Sequence, residues 1–171
     1  SNNINDNFYQ LLREQFPTDL SLPAVYDEAG VYSWSDLDKG SAMMANLLQG
    51  LALPKGSRIA VQVDKSVEAV MLYLATLRAG YVFLPLNTAY QSAEVAYFID
   101  NAKPAVVVCS PATFGWVTTS FNELGRNAQD VNRWNMLHPE AEPKQSYVEE
   151  CLSGHAGPVI AATDYVKAFA E

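Results

Sequence analysis

Few residues in this sequence could do chemistry, and they do not converge. The histidines are His138 and His155, and the cysteines are Cys109 and Cys151. A metal centre needs about four ligands, and a nucleophile needs a base beside it. Cys151 and His155, in the loop Ser153-Gly154-His155-Ala156-Gly157, bring no further ligand at suitable spacing. Cys109 and Cys151 show no paired spacing and read as small buried residues in a reducing compartment. Thr118-Thr119-Ser120 offers hydroxyls without the glycines and lysine of a phosphate loop, so it reads as strand or helix cap. Asp27-Glu28 and Glu149-Glu150 are adjacent carboxylates without a burial signal, hence solvated charges rather than a general acid and base. Asn87-Thr88-Ala89-Tyr90 follows the end of a strand, where α/β proteins place ligands. The competing reading of that loop is packing against neighbouring parts of a larger fold. The sequence therefore assigns no catalytic, cofactor-binding or metal-binding residue.

The elements that would have to position such groups are clearer. Between Ser66 and Tyr90 a helix leads into an apolar strand. Val67, Val70, Met71, Leu74 and Leu77 recur at helical spacing. Ser66 is the expected N-cap, Glu68 suits the first turn, Arg78 suits the last, and Gly80 ends the helix. Tyr81 to Leu86 is continuously apolar, the pattern of a strand covered on both faces, with Pro85 marking its end. Arg58 to Val63 and Ala105 to Cys109 are further strands, and Ser92 to Asn101 is a helix. Strands and helices alternating in this way predict a βαβαβ unit with parallel strands. No Gly-rich turn follows Val63, which excludes a Rossmann dinucleotide site there.

Upstream, Asn5 to Phe16 reads as a helix with Phe8, Leu11, Leu12 and Phe16 at helical spacing, capped by Asn5 or Asp6 and stopped by Pro17. Ala24 to Asp27 and Val31 to Trp34 flank Glu28-Ala29-Gly30 as a hairpin. Ser35 and Asp38 have capping-box spacing, and the helix after them buries Leu37, Met44, Leu47 and Leu48. Gly40 and Ser41 are small enough to let another helix approach. Tyr81, Phe83, Tyr97 and Phe98 are expected in the core. Downstream, Trp116 to Ser120 reads as a strand, Asn122 to Met136 and Ser146 to Leu152 as helices, Pro158 to Ala162 as a strand, and Asp164 as a helix cap. The fold class is α/β: a partial parallel sheet with a small hairpin, followed by a short αβ segment.

Composition narrows the function classes. The chain has 171 residues, 49% of them apolar, and a net charge of -8. That size sustains one core, with room for a second small unit. Lys and Arg form no basic stripe, so nucleic acid is not an expected partner. No apolar run has the length of a membrane span, and the start, SNNINDNFYQ, is too polar for a secretory signal, so the expected location is cytoplasmic.

Two resemblances add to this reading. Tyr32-Ser33-Trp34-Ser35-Asp36-Leu37 resembles a Tyr-x-Glu-Leu-type signature, with Asp36 in place of Glu. Leu77-Arg78-Ala79-Gly80-Tyr81-Val82-Phe83-Leu84-Pro85-Leu86-Asn87 resembles a Lys-Ala-Gly-x-x-x-x-Pro-Leu run. Both motifs are those of adenylate-forming enzymes of the acyl-CoA synthetase superfamily, and the likeness covers about residues 8–112. Within that superfamily, Asp64 to Ala69 and Leu86 to Tyr90 most resemble malonyl-CoA synthetases. The resemblance implies activation of a carboxylate by ATP and magnesium as an acyl-adenylate, then transfer to coenzyme A. The Gly-rich phosphate loop and the adenylation lysine of such enzymes are not legible here.

From Thr118-Thr119-Ser120-Phe121 through Gln129-Asp130-Val131-Asn132-Arg133-Trp134-Asn135-Met136-Leu137-His138-Pro139, and again from Gly157 to Tyr165, the sequence looks different. It resembles the C-terminal domain of the homodimeric bacterial decarboxylating subunit of pyruvate dehydrogenase, over about residues 117–171. That resemblance implies thiamine diphosphate and magnesium in the parent enzyme, but none of the motifs that bind them. The expectation is two regions, 1–115 and 116–171, with no cofactor held by this chain. Two partial folds joined in this way would expose apolar surface, so self-association is also expected.

Overall fold

The computed structural model describes residues 7–113 and 117, together with the backbone of residues 133–135 and 159–162. The chain divides into two compact units, Ser1–Gly56 with Lys65–Val82, and Ser57–Asp64 with Phe83–Glu171.

The first unit is mainly helical. Helix α1 (Phe8–Glu14) is capped by Asn7, whose Oδ1 accepts from the Tyr9 N–H at 2.9 Å, rather than by Asn5 or Asp6. It buries Tyr9, while Phe8 and Leu11 are exposed. Strands β1 (Pro23–Asp27) and β2 (Gly30–Ser33) pair antiparallel, as the hairpin signal predicts. Asp27 closes the turn by accepting from the N–H groups of Ala29 and Gly30.

Helix α2 (Trp34–Gly50) starts two residues earlier than the capping signal implied. Its capping box is Ser33 with Asp36, not Ser35 with Asp38. Ser33 is the extended residue that ends β2, so its hydroxyl is placed to accept from Asp36. Asp38 is then free to turn inward. Leu37, Met44 and Leu48 are buried as expected, but Leu47 is exposed, because its direction falls outside the stripe made by 37, 41, 44, 45 and 48.

Helix α3 (Val67–Arg78) carries the expected caps: the Ser66 hydroxyl accepts from the Ala69 N–H, and Gly80 is left-handed at φ +83°. Val67, Met71 and Leu74 are buried, whereas Val70 is exposed. The close approach of α2 to α3 depends on Gly40. A Cβ there would collide with the Sδ of Met71, itself buried.

The second unit holds the sheet. Strands β3 (Arg58–Gln62), β4 (Val82–Pro85), β5 (Val106–Cys109), β6 (Arg133–Asn135) and β7 (Val159–Ala162) are ordered β4-β3-β5-β7-β6. The pairs β3–β5, β5–β7 and β6–β7 are parallel, as an α/β fold requires. Helix α4 (Ser92–Ala102) buries Val95 and Ile99 against Ala60, Leu86, Val107, Cys109 and Val117. Its left-handed C-cap is Lys103, and the Arg58 guanidinium donates to Ala102 O.

Several expectations fail here for identifiable reasons. β4 is an edge strand with Val82 and Pro85 exposed, so its apolar run does not mark a doubly covered position. An edge also suits Pro85, which has no N–H to give a neighbour. Tyr97 is 66% exposed and is not core. Val117 is helical, donating to Thr113 O at 3.0 Å, within the span expected to be a strand. Arg133–Asn135 is strand rather than helix, its pattern overridden by pairing with β7. The strand expected from Pro158 to Ala162 is present as β7.

Candidate functional site

The carboxyl ends of parallel strands are where α/β folds present loops to ligands. In this sheet that edge is formed by Gln62 ending β3, Leu86 and Asn87 after β4, and Ser110 after β5. Ala60, Val61 and Gln62 pair in register with Val107, Val108 and Cys109. Alternation along the strands puts Gln62 on the same face as Ala60.

Gln62 is 3% exposed, a buried amide directly after the apolar run Ile59–Val61. Its Nε2 donates to Asn87 O and to Tyr90 O, each at 3.0 Å. The loop so gripped is also closed internally: Asn87 Oδ1 accepts from the Ala89 N–H, and Asn87 O accepts from the Tyr90 N–H. The Leu86 N–H donates to Val61 O, fixing the start of the loop to β3. At its far end Tyr90 stacks on Phe98 of α4, ring centroids 5.1 Å apart. Asn87 to Tyr90, singled out in the sequence, is thus a loop held from below by a residue that the sequence reading passed over. The available signal was a lone amide closing a run of strand-forming apolar residues.

Cys109 does not act as a nucleophile. Burial pushes its thiol up to about 11, with the Thr113 hydroxyl opposing that shift, so it is a neutral thiol near pH 7. The Ser110 and Thr113 hydroxyls lie 3.1 Å apart and bond each other. Asp27 and Glu28 are exposed at the hairpin turn, where Asp27 serves the backbone. Thr118, Thr119, Ser120, His138, Glu149, Glu150, Cys151, His155 and Asp164 lie outside the described residues, as does the span Ser146 to Leu152.

The first unit contains a polar cluster that sequence spacing could not reveal, since its members are far apart in the chain. Asp38 Oδ1 accepts from Tyr9 Oη at 3.1 Å, from Arg13 Nε at 3.2 Å and from Arg78 Nη1 at 3.2 Å. Arg78 Nη1 also donates to Tyr9 Oη, Asp38 O and Ser41 Oγ, and its guanidinium lies 4.9 Å from the Tyr9 ring centroid. Burial alone would raise the Asp38 carboxyl. The Tyr9 hydrogen bond and the two guanidiniums outweigh it and hold the carboxyl below its ordinary value. Arg78, expected only to complement the helix dipole, is the hub of this cluster. Its bonds join residues of three helices, which makes it a structural tie among α1, α2 and α3.

No group of three or more His, Cys, Asp or Glu side chains among the described residues could hold a metal ion. Among the described residues no helix is long and apolar enough to cross a membrane.

Comparison with known proteins gives two sets of relatives. MatB from Rhodopseudomonas palustris in its ATP-bound form is 40% identical, with a TM-score of 0.63 over 70% of this chain and 24% of its own. A benzoate CoA ligase from Burkholderia xenovorans shares the fold with a TM-score of 0.65 over 96% of this chain and 30% of its own, at 22% identity. The pyruvate dehydrogenase E1 component of Pseudomonas aeruginosa is 64% identical over 56 residues, 33% of this chain and 6% of that protein. This chain thus spans a small part of each relative's length. Both resemblances read from the sequence are present, and the synthetase-like one is matched by the fold. The AMP-binding enzyme family matches residues 12–165, and the chain belongs to that family.

Proposed function

We propose that this chain supplies scaffold from an adenylate-forming acyl-CoA synthetase of malonyl-CoA synthetase type, and that it forms no acyl-CoA by itself. The likeness to ATP-bound MatB is the observation that carries this reading. The wording of Asp64 to Ala69 and of Leu86 to Tyr90 supports malonate as the acid activated by the complete enzyme. Inactivity is argued from chemistry. Adenylation needs fixed positive dipoles and a cation at the phosphates, and neither a Gly-rich phosphate loop nor an adenylation lysine is legible in the sequence. In this reading the chain binds neither ATP with magnesium nor thiamine diphosphate, has no nucleic-acid or membrane partner, and is cytoplasmic. The purified chain, incubated with ATP, malonate and coenzyme A, is expected to yield no malonyl-CoA and no AMP. Accumulation of both would overturn the proposal.

The 64% identity to a pyruvate dehydrogenase E1 component favours a second reading, a non-catalytic association module. Its basis is apolar surface that a partial fold leaves uncovered; Phe8, Leu11, Tyr26 and Tyr97 are each more than half exposed. Light scattering over a hundredfold concentration range is expected to show mass rising with concentration. A constant monomer mass would remove this reading while leaving the first untouched.

A further inference from the structure

Sequences of two different likenesses meet in one sheet. Strands β3, β4 and β5 belong to the synthetase-like part of the chain, and β6 and β7 to the part that resembles the pyruvate dehydrogenase E1 component. β7 lies between β5 and β6, and it pairs with β5 in unbroken parallel register from Val106↔Val159 to Cys109↔Ala162. β5 is enclosed throughout: Val106, Val107, Val108 and Cys109 are each 1% exposed or less. A backbone N–H or C=O left unpaired on so enclosed a strand is costly. The Ala105 N–H donates to Arg58 O, on the β3 side. Successive residues of a strand turn their N–H groups to opposite edges, so Val107 also faces β3, while Val106 and Val108 face β7. The register sets Ile160 opposite Val107, between the two residues that face β7.

We infer that the outer edge of β5 is a strand-accepting surface, and that the E1-like segment is its occupant, with β7 as the added strand. Two observations besides the pairing lead there. The benzoate CoA ligase fold is matched over 96% of this chain, and the AMP-binding match runs to residue 165, so both likenesses extend across E1-like sequence. A segment of E1 likeness thus stands where a ligase-type fold continues. The E1 likeness itself spans 56 residues, 6% of that protein, a length at which a fragment hides little core of its own. Joining an existing sheet supplies what the fragment lacks. Main-chain hydrogen bonds carry the affinity in such strand additions, so the segment is accepted without a ligase sequence. The inference concerns the sheet alone and holds whether or not the complete enzyme activates malonate.

The experiment uses the full chain, labelled with nitrogen-15, and reads hydrogen exchange along β5. Ile160→Pro removes the N–H of β7 that faces β5 and sets a ring at that edge. The Val108 amide is expected to exchange about tenfold faster in the variant, the equivalent of one lost hydrogen bond. The Val107 amide, which faces β3, is expected to keep its rate. That difference between neighbouring residues separates loss of the added strand from general loosening of the sheet. An unchanged Val108 rate would overturn the inference. Where the variant unfolds as a whole, the unaltered chain decides through nuclear Overhauser contacts between the Val108 N–H and the backbone protons of Val159 to Ala161. Their presence supports the added strand, and their absence overturns it.

Discussion

The two units hold themselves together by different means. In the first, α1, α2 and α3 are tied by one carboxylate, two guanidiniums and a phenol. In the second, the described residues of the β3, β5 and α4 core are apolar apart from Gln62. A charged network is directional: it specifies which helix faces meet, and truncating one partner strands the others. An apolar sheet core is non-directional and contributes in proportion to the area it hides. The first unit should therefore be sensitive to pH and salt, and the second to side-chain volume.

The sharpest test of that contrast is volume. Ile99→Ala empties a fully buried position in the sheet core and is expected to cost about 2–5 kcal/mol. Hydrogen exchange should show the loss in β3 and β5. Equal loss of protection in α2 would break the comparison by making the two units one cooperative body.

Next comes charge. Arg78→Met removes the hub of the polar cluster and is expected to cost about 2 kcal/mol at neutral pH. The sign of its pH dependence follows from Asp38. The folded carboxyl is held low, so its contribution is present above the unfolded value of about 3.9 and is lost as pH falls through the folded value. Urea unfolding at pH 7 and pH 3 should show the gap between Arg78→Met and the parent narrowing in acid. An unchanged gap would mean that packing of the Arg78 stem, not its charge, does the tying.

The smallest effect concerns helix register. Ser33→Ala removes the N-cap of α2 and is expected to cost about 1 kcal/mol, and Ser35→Ala close to nothing. The reverse order would restore the register expected from the sequence.

How far the sequence could be read follows from the range of the forces involved. Caps and apolar runs are local, and so α3, β3, β5 and α4 were legible with their ends nearly right. The Ser66 cap and Gly80 show this best. The Ser33–Asp36 box was misplaced because Ser35–Asp38 offers the same spacing, and only the end of β2 selects between them. Arg78 looked like a helix-end cation because its partners Tyr9 and Asp38 lie 69 and 40 residues away. The edge position of β4 depends on strand order, which no local pattern encodes. The same holds for β6, whose pairing with β7 outweighs a helical pattern. Gln62 was passed over because a buried amide has meaning only once its acceptors, Asn87 O and Tyr90 O, are folded over it.

The chain passes between the units three times, at residues 56–57, 64–65 and 82–83. α3 belongs with the helices although it connects two strands of the sheet. Dissection by deletion is constrained by that path. A peptide ending at residue 82 has the whole helical unit plus eight orphaned sheet residues, 57–64, and one beginning at residue 83 lacks β3 altogether. Separating the two units requires rewiring the backbone, joining 64 to 83 on one side and 56 to 65 on the other.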